Sequence, residues 1–388
     1  MVILENGQII RDGHISYGTI AFDNGILVEP RLADKEDTVI DVHGQYIAPG
    51  FIDIHVHGGG GADFMDATVD AFLTVARVHA RYGTTTLLPT ATSSTFVETK
   101  QMMNAFEQAR RHNLSGADMP GLHFEGPYFS PAQSGAQDPS QLRLPNPSEY
   151  CEILNCGSRI LRWSSAPELP GSEEFAKALL EQGILASIGH SDADYDEVVR
   201  AVSYGFTHIT HLYSCTSTVH RKNAYRYAGI VEAAYLLNEL TSEIIADGKH
   251  LPPPLLQMVY RFIGPERTAL VTDSMRGAGM PDGPTILGSL KSGIAAIIED
   301  GVAKMPDRKA FAGSVATMDL LVRNMVNLAH ATLADAVTMA SQTPARIVGL
   351  TDRGSLEIGK RADIVVLNAD LKVTQTIVNG RSVFLAEK

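Results

Sequence analysis

The residues most able to do chemistry in this chain are histidines and acids that recur at similar places in its pattern. The first two, His55 and His57, sit one residue apart in FIDIHVHGGGGADFMD, residues 51–66. On a strand, residues i and i+2 project from the same face, so the two imidazoles can share one cation. The glycines that follow let the chain leave the strand in conformations other residues avoid, and leave room for an approach to the backbone. Taken alone, the pair is equally compatible with hydrogen-bonded core histidines. Glu125 in HFEGP, His190 in SIGH, His211 in THLYS, His250 in ADGKH and Asp273 in VTDSM each follow an apolar run in the same way. Singly, a Glu or Asp there reads as a turn or capping group. Jointly they place metal-ligand types at the same end of six strands, and an imidazole and carboxylate set suits zinc, iron or manganese rather than calcium.

The elements that must position these groups alternate in type. Strand candidates fall at 51–57, 84–90, 121–127, 161–168, 185–190, 209–213, 242–248 and 269–275. Helical stretches at 68–82, 172–183, 192–205 and 253–264 separate several of them; in the first, Val69, Phe72, Leu73 and Ala76 follow the i, i+3, i+4, i+7 spacing. Such alternation predicts an α/β fold with a (β/α)₈ TIM barrel over residues 49–353, whose reactive groups gather where the strands finish. The flanks read differently. Residues 1–48 carry the turn signals Asp12-Gly13, Asn24-Gly25 and His43-Gly44, and residues 354–388 carry Asn379-Gly380. Both suggest short antiparallel strands, and the two ends are expected to pair into one small, discontinuous β-sandwich domain.

Composition narrows the partners. A net charge of −12 argues against nucleic acid or an anionic membrane, while leaving room for a local basic pocket. The odd set Cys151, Cys156 and Cys215 has no zinc-like spacing and no disulfide framework, which fits a reducing compartment. The opening MVILENGQIIRDGHISYG lacks a signal-peptide pattern, and no run is long and apolar enough to span a bilayer, so the expected location is the cytoplasm.

HxH on the first strand, histidines on the fifth and sixth and an aspartate on the eighth resemble the amidohydrolase superfamily. HFEGPYFSPAQSGAQDP (123–139), SIGHSDADYDE (187–197), THLYS (210–214), IIADGKH (244–250), LVTDSM (270–275) and AGSVATMD (312–319) resemble, in order and spacing, the N-acetylglucosamine-6-phosphate deacetylases of that superfamily. The resemblance implies a metal-dependent hydrolase that removes acetate from an N-acetylated amino sugar. Two divalent ions per subunit are implied, zinc first and iron or manganese as alternatives. His55, His57, Glu125 and Asp273 would hold one ion; Glu125, His190 and His211 would hold the other. Asp273 would take a proton from water and return it to the leaving nitrogen, and His250 would meet the carbonyl oxygen. A homodimer is also implied, in which the loop after strand six reaches the neighbouring site.

The chain departs from that family in two places. HLYSCTSTVHRKNAYRYAG (211–229) has Ser214 and Cys215 where relatives carry Asn-Ala, and Arg226, the arginine best aligned with the phosphate-holding turn, comes several residues late. His220, Arg221, Lys222 and Arg226 concentrate positive charge that suits an anionic substrate group, with a solvated loop as the alternative. Gln137 stands where relatives carry a sugar-contacting histidine. Ser214, Cys215, Arg226, Gln137 and His250 are the expected substrate contacts. N-acetylglucosamine 6-phosphate is the first substrate expected; its galacto epimer, another N-acyl compound, or a cyclic amide are the alternatives.

Overall fold

A computed structural model describes residues 1–387. Eight strands pair in chain order, all parallel: Phe51–Val56, Thr84–Ala91, Leu122–Glu125, Ile160–Ser165, Leu185–Ile188, Phe206–Ile209, Thr241–Ile244 and Thr268–Leu270. The first and eighth strands meet at the site end, where Asp273 N–H donates to His55 O at 2.9 Å and His57 N–H to Ser274 O at 2.8 Å. This is the expected barrel. All of its strands but the second, Thr84–Ala91, end earlier than the apolar runs suggest, because the residues after them turn out of the ladder to face the mouth. The sixth is also displaced: it covers 206–209, and 210–213 is loop.

The helices follow local rules. Val69–Ala80 begins where the Thr68 side chain accepts the N–H of Ala71, and Phe96–His112 opens on a reciprocal Thr95/Glu98 capping box. Their apolar faces pack on the outside of the barrel through Phe72, Val75, Met102 and Phe106. The barrel interior is instead polar, and Arg162, Glu243, His123 and His208 have no exposed surface.

The terminal segments form one eight-stranded mixed sheet with its own core of Leu4, Ile20, Phe22, Ile47, Ile364 and Ile377. Ile364–Leu367 runs antiparallel to Tyr46–Pro49 with Val365 opposite Ala48, which joins the two ends. Asp12-Gly13, Asn24-Gly25 and Asn379-Gly380 are two-residue hairpin turns with both residues at positive φ, the backbone those residue types tolerate. His43-Gly44 behaves differently. Gly44 N–H donates to Asn6 O, and the strands on either side, Thr38–Asp41 and Tyr46–Pro49, both run parallel to Val2–Arg11, so this turn is a jog along one neighbour and not a hairpin. Seven of the strands follow one hydrogen-bonded path and Thr38–Asp41 branches from it on Val2–Arg11, in place of two separate sheets.

One element has no counterpart in the sequence reading. Gly283–Leu287, Ile294–Glu299 and Val302–Lys304 form a three-stranded antiparallel meander after the eighth strand. Arg276 fastens it to the glycine loop, donating to Ile286 O and Gly288 O on one side and to Gly61 O and the Asp66 carboxylate on the other. Among the described residues no helix is long and apolar enough to cross a membrane.

Candidate active site

The six expected ligands converge on one point. His55 and His57 bring their Nε2 atoms within 3.2 Å of each other. Glu125 lies between them and the opposite pair: its Oε2 is 3.3 Å from His57 Nε2, and its Oε1 is 3.1 Å from His190 Nε2 and 3.0 Å from His211 Nε2. Asp273 Oδ1 is 3.1 Å from His57 Nε2 and 3.5 Å from His55 Nε2. All six are buried. Two triads, His55/His57/Glu125 and Glu125/His190/His211, thus share one carboxylate and could hold metal ions.

The outer nitrogens supply an independent test of that fit. His55 Nδ1 contacts Glu243 Oε1 at 2.7 Å, His190 Nδ1 contacts Gln133 O at 2.8 Å, and His211 Nδ1 contacts Ser214 O at 3.0 Å. Each of these partners only accepts, so each Nδ1 carries its hydrogen outward and each Nε2 lone pair is free to face the cluster. Three inward lone pairs around a carboxylate are a donor set for a cation. Without one, protons do the same work. Burial alone would lower the His55 imidazole, but the charges of Asp273, Glu243 and Glu125 outweigh it and raise it to about 9. Burial would raise the Glu125 carboxyl, yet His55, His190 and His211 together hold it well below the usual carboxylate range.

The backbone is strained where the ligands stand. His190, His211 and Asp273 have φ of 46°, 26° and 46°, a region unfavourable for residues with a Cβ and often found at functional sites. Gly135 makes a close approach possible: with φ at 57°, a Cβ there would lie 2.5 Å from Cys215 Sγ and 3.3 Å from His190 Cε1.

Above the cluster is a cavity of about 410 Å³, a size usual for small-molecule sites. Gln137, Ser214, Cys215 and His250 line it, together with Leu287, Ser289 and Ile294 from the meander. His250 is oriented by Asp247, whose Oδ2 lies 2.7 Å from its Nδ1, and packs its ring 4.7 Å from that of Phe311. Gln137 is committed elsewhere than expected. Its Nε2 donates to Glu125 Oε2 at 2.7 Å, and its Oε1 accepts the N–H of Ser93 at 2.9 Å. Arg226 is not in this cavity. It lies on an exposed hairpin of His220–Lys222 and Tyr225–Tyr227. Among the described residues no lysine or arginine lines the cavity.

Glu243, Arg162 and Asp247 went unnoticed in the sequence. A charge inside each apolar run, Glu243 in SEIIA and Arg162 in LRWSS, is the signal that could have found the first two.

Comparison with known proteins finds relatives over most of the chain. Residues 46–383 match the amidohydrolase family. The chain is 33% identical over 344 residues to the N-acetylglucosamine-6-phosphate deacetylase of Vibrio furnissii, covering 87% of this chain and 83% of that protein. It is 33% identical over 346 residues to the N-acetylgalactosamine-6-phosphate deacetylase of Escherichia coli O157:H7, covering 89% of each. It superposes with a TM-score of 0.89 and 29% identity, over 99% of both chains, on a point mutant of the Mycobacterium smegmatis N-acetyl-D-glucosamine-6-phosphate deacetylase solved in complex with N-acetyl-D-glucosamine-6-phosphate. The chain therefore belongs to the amidohydrolase family, in the branch of linear-amide hydrolases that contains the N-acetylglucosamine-6-phosphate deacetylases.

Proposed function

We propose that this protein hydrolyses the acetamide of N-acetylglucosamine 6-phosphate to the free amino sugar phosphate and acetate. The observation that carries the reading is the pair of histidine and carboxylate triads sharing Glu125 at the floor of a cavity of about 410 Å³. His55, His57, Glu125 and Asp273 would hold one divalent ion and Glu125, His190 and His211 a second, zinc before iron or manganese. Such ions acidify water toward pH 7 and polarise a carbonyl.

The chain's own residues do the rest. Asp273, at the inner edge of the cavity, takes a proton from the attacking water and delivers it to the nitrogen as the C–N bond breaks. With both ring nitrogens carrying hydrogen, His250 donates from Nδ1 to Asp247, which fixes the ring, and from Nε2 to the carbonyl oxygen on which negative charge develops. The cavity wall of Ser214, Cys215 and the meander encloses the sugar. Among the described residues this cavity has no lysine or arginine to meet a phosphate, while His220, Arg221, Lys222 and Arg226 stand exposed on one hairpin. That mismatch supports a homodimer in which the hairpin of one subunit, Arg226 included, reaches the mouth of the other.

The test is acetate release by protein of measured metal content. Turnover on N-acetylglucosamine 6-phosphate well above that on the galacto epimer and on the unphosphorylated sugars is expected. Equal turnover with and without phosphate would discard the phosphate. No turnover on any of them with two metals bound would discard the substrate class.

A further inference from the structure

Glu243 does not line the cavity and touches no position a substrate could take, yet it contacts both halves of the ligand cluster. Its Oε1 accepts from His55 Nδ1 at 2.7 Å and from the backbone N–H of His211 at 3.1 Å. Its own carbonyl oxygen accepts the N–H of Leu212 at 2.9 Å. One residue on the seventh strand therefore sets the ring of a ligand in the first triad and pins the backbone of a ligand in the second. The second contact falls where a restraint is needed, since His211 is held at a φ of 26°.

The other carboxylate oxygen explains how an acid survives there with no exposed surface. Oε2 accepts from Arg162 Nη1 and lies 3.4 Å from His208 Nε2. Arg162 is equally buried, and each of its nitrogens has a further or separate acceptor: Nε donates to Ser187 Oγ at 3.0 Å, Nη1 also to Ile54 O at 3.3 Å, and Nη2 to Thr210 Oγ1 at 2.8 Å. A buried ion pair is tolerated when hydrogen bonds hold its charges, and here four hold the guanidinium. A carboxylate behind a ligating imidazole fixes the ring and makes its far nitrogen a better donor.

We propose that Glu243 is a positioning residue that presets both metal positions together, through the His55 ring and the His211 backbone, with Arg162 as its fixed counter-charge. The proposal rests on the cluster being a metal site and is independent of the substrate.

The experiment measures the two stepwise zinc affinities by chelator competition, with circular dichroism to confirm the fold and the visible spectrum of the cobalt-loaded protein to report ligand geometry. The proteins are wild type, Glu243→Leu, which removes the acceptor shared by His55 and His211, and the double variant Glu243→Leu/Arg162→Met, which removes both buried charges and so keeps a folded protein available if the single variant leaves Arg162 unpaired. A folded variant should lose about 10- to 100-fold in both steps and show an altered cobalt spectrum. His208→Gln, which touches Glu243 but neither ligand, should stay near wild type. A folded Glu243 variant in which either step is unchanged overturns the proposal. Wild type that takes up no metal overturns the metal site and this role with it. Wild type that binds two ions yet hydrolyses no acetylated amino sugar overturns only the substrate.

Discussion

Replacing Gln137 by leucine separates two accounts of the residue most unlike the family pattern. In the structure its amide spans the Ser93 N–H and the Glu125 carboxylate, and this pairing fixes which end is which: the N–H demands the amide oxygen, and the carboxylate demands the NH₂. Leucine keeps the bulk and removes both bonds. A hydrogen bond to a buried charge contributes about 1.5–3 kcal/mol, which corresponds to roughly 10- to 150-fold in the preference of Glu125 for the position between the triads. The unpartnered Ser93 N–H costs about a further 1–3 kcal/mol of folding stability. In steady-state kinetics with a parallel chelator titration, Gln137→Leu should lower kcat by about one to two orders of magnitude and release metal at lower chelator concentration, with KM little changed. If KM rises while kcat and metal retention match wild type, Gln137 is a sugar contact and its grip on Glu125 is incidental.

Asp273→Asn keeps the size of the side chain but cannot accept the proton, so kcat should fall about 10²- to 10⁴-fold in protein shown by metal analysis to stay loaded; near-normal turnover would refute the assignment. In the metal-free protein the acids around His55 raise its imidazole from the ordinary 6.5 to about 9, so this ring is protonated at neutral pH and must lose that proton to bind metal. Apparent metal affinity should therefore rise with pH through neutrality to at least about 9, with proton release visible by calorimetry in buffers of different ionisation enthalpy; a flat profile would refute it. Gly135→Ala places a Cβ at a φ of 57° and 2.5 Å from Cys215 Sγ. Its expected cost is about 1–2 kcal/mol together with looser binding of the ion held by His190, read from metal stoichiometry under limiting chelator.

The sequence was most informative where local chemistry decides structure. Asn24-Gly25 and Asn379-Gly380 read as hairpin turns because few other pairs adopt two successive positive φ values, and the backbone adopts them there. His55, Glu125, His190, His211 and Asp273 were legible because ligand types recur after apolar runs. The strand ends were not, since His190, His211 and Asp273 leave the ladder in conformations that their residue types do not announce. Glu243 and Arg162 were hidden for another reason: they lie 81 residues apart and explain each other only once paired. The meander was overlooked although Asp300-Gly301, both at positive φ, marks its second turn as clearly as the turns read correctly elsewhere. Arg226 aligned by residue type alone, and type says nothing of where an exposed hairpin points.

The mixed sheet that unites the two flanks has a consequence for synthesis on the ribosome. Thr374 Oγ1 donates to Gln45 Oε1 at 2.5 Å across 329 residues of chain, and Ile47 has its antiparallel partner in Val366. At roughly 5–20 residues per second, the first strands wait on the order of tens of seconds with an unsatisfied edge, while every barrel strand is made before their partners emerge. Nascent chains are thus at their stickiest early and are relieved of it last, so slowing translation between residues 49 and 353 should increase the aggregated fraction more than slowing it after residue 385.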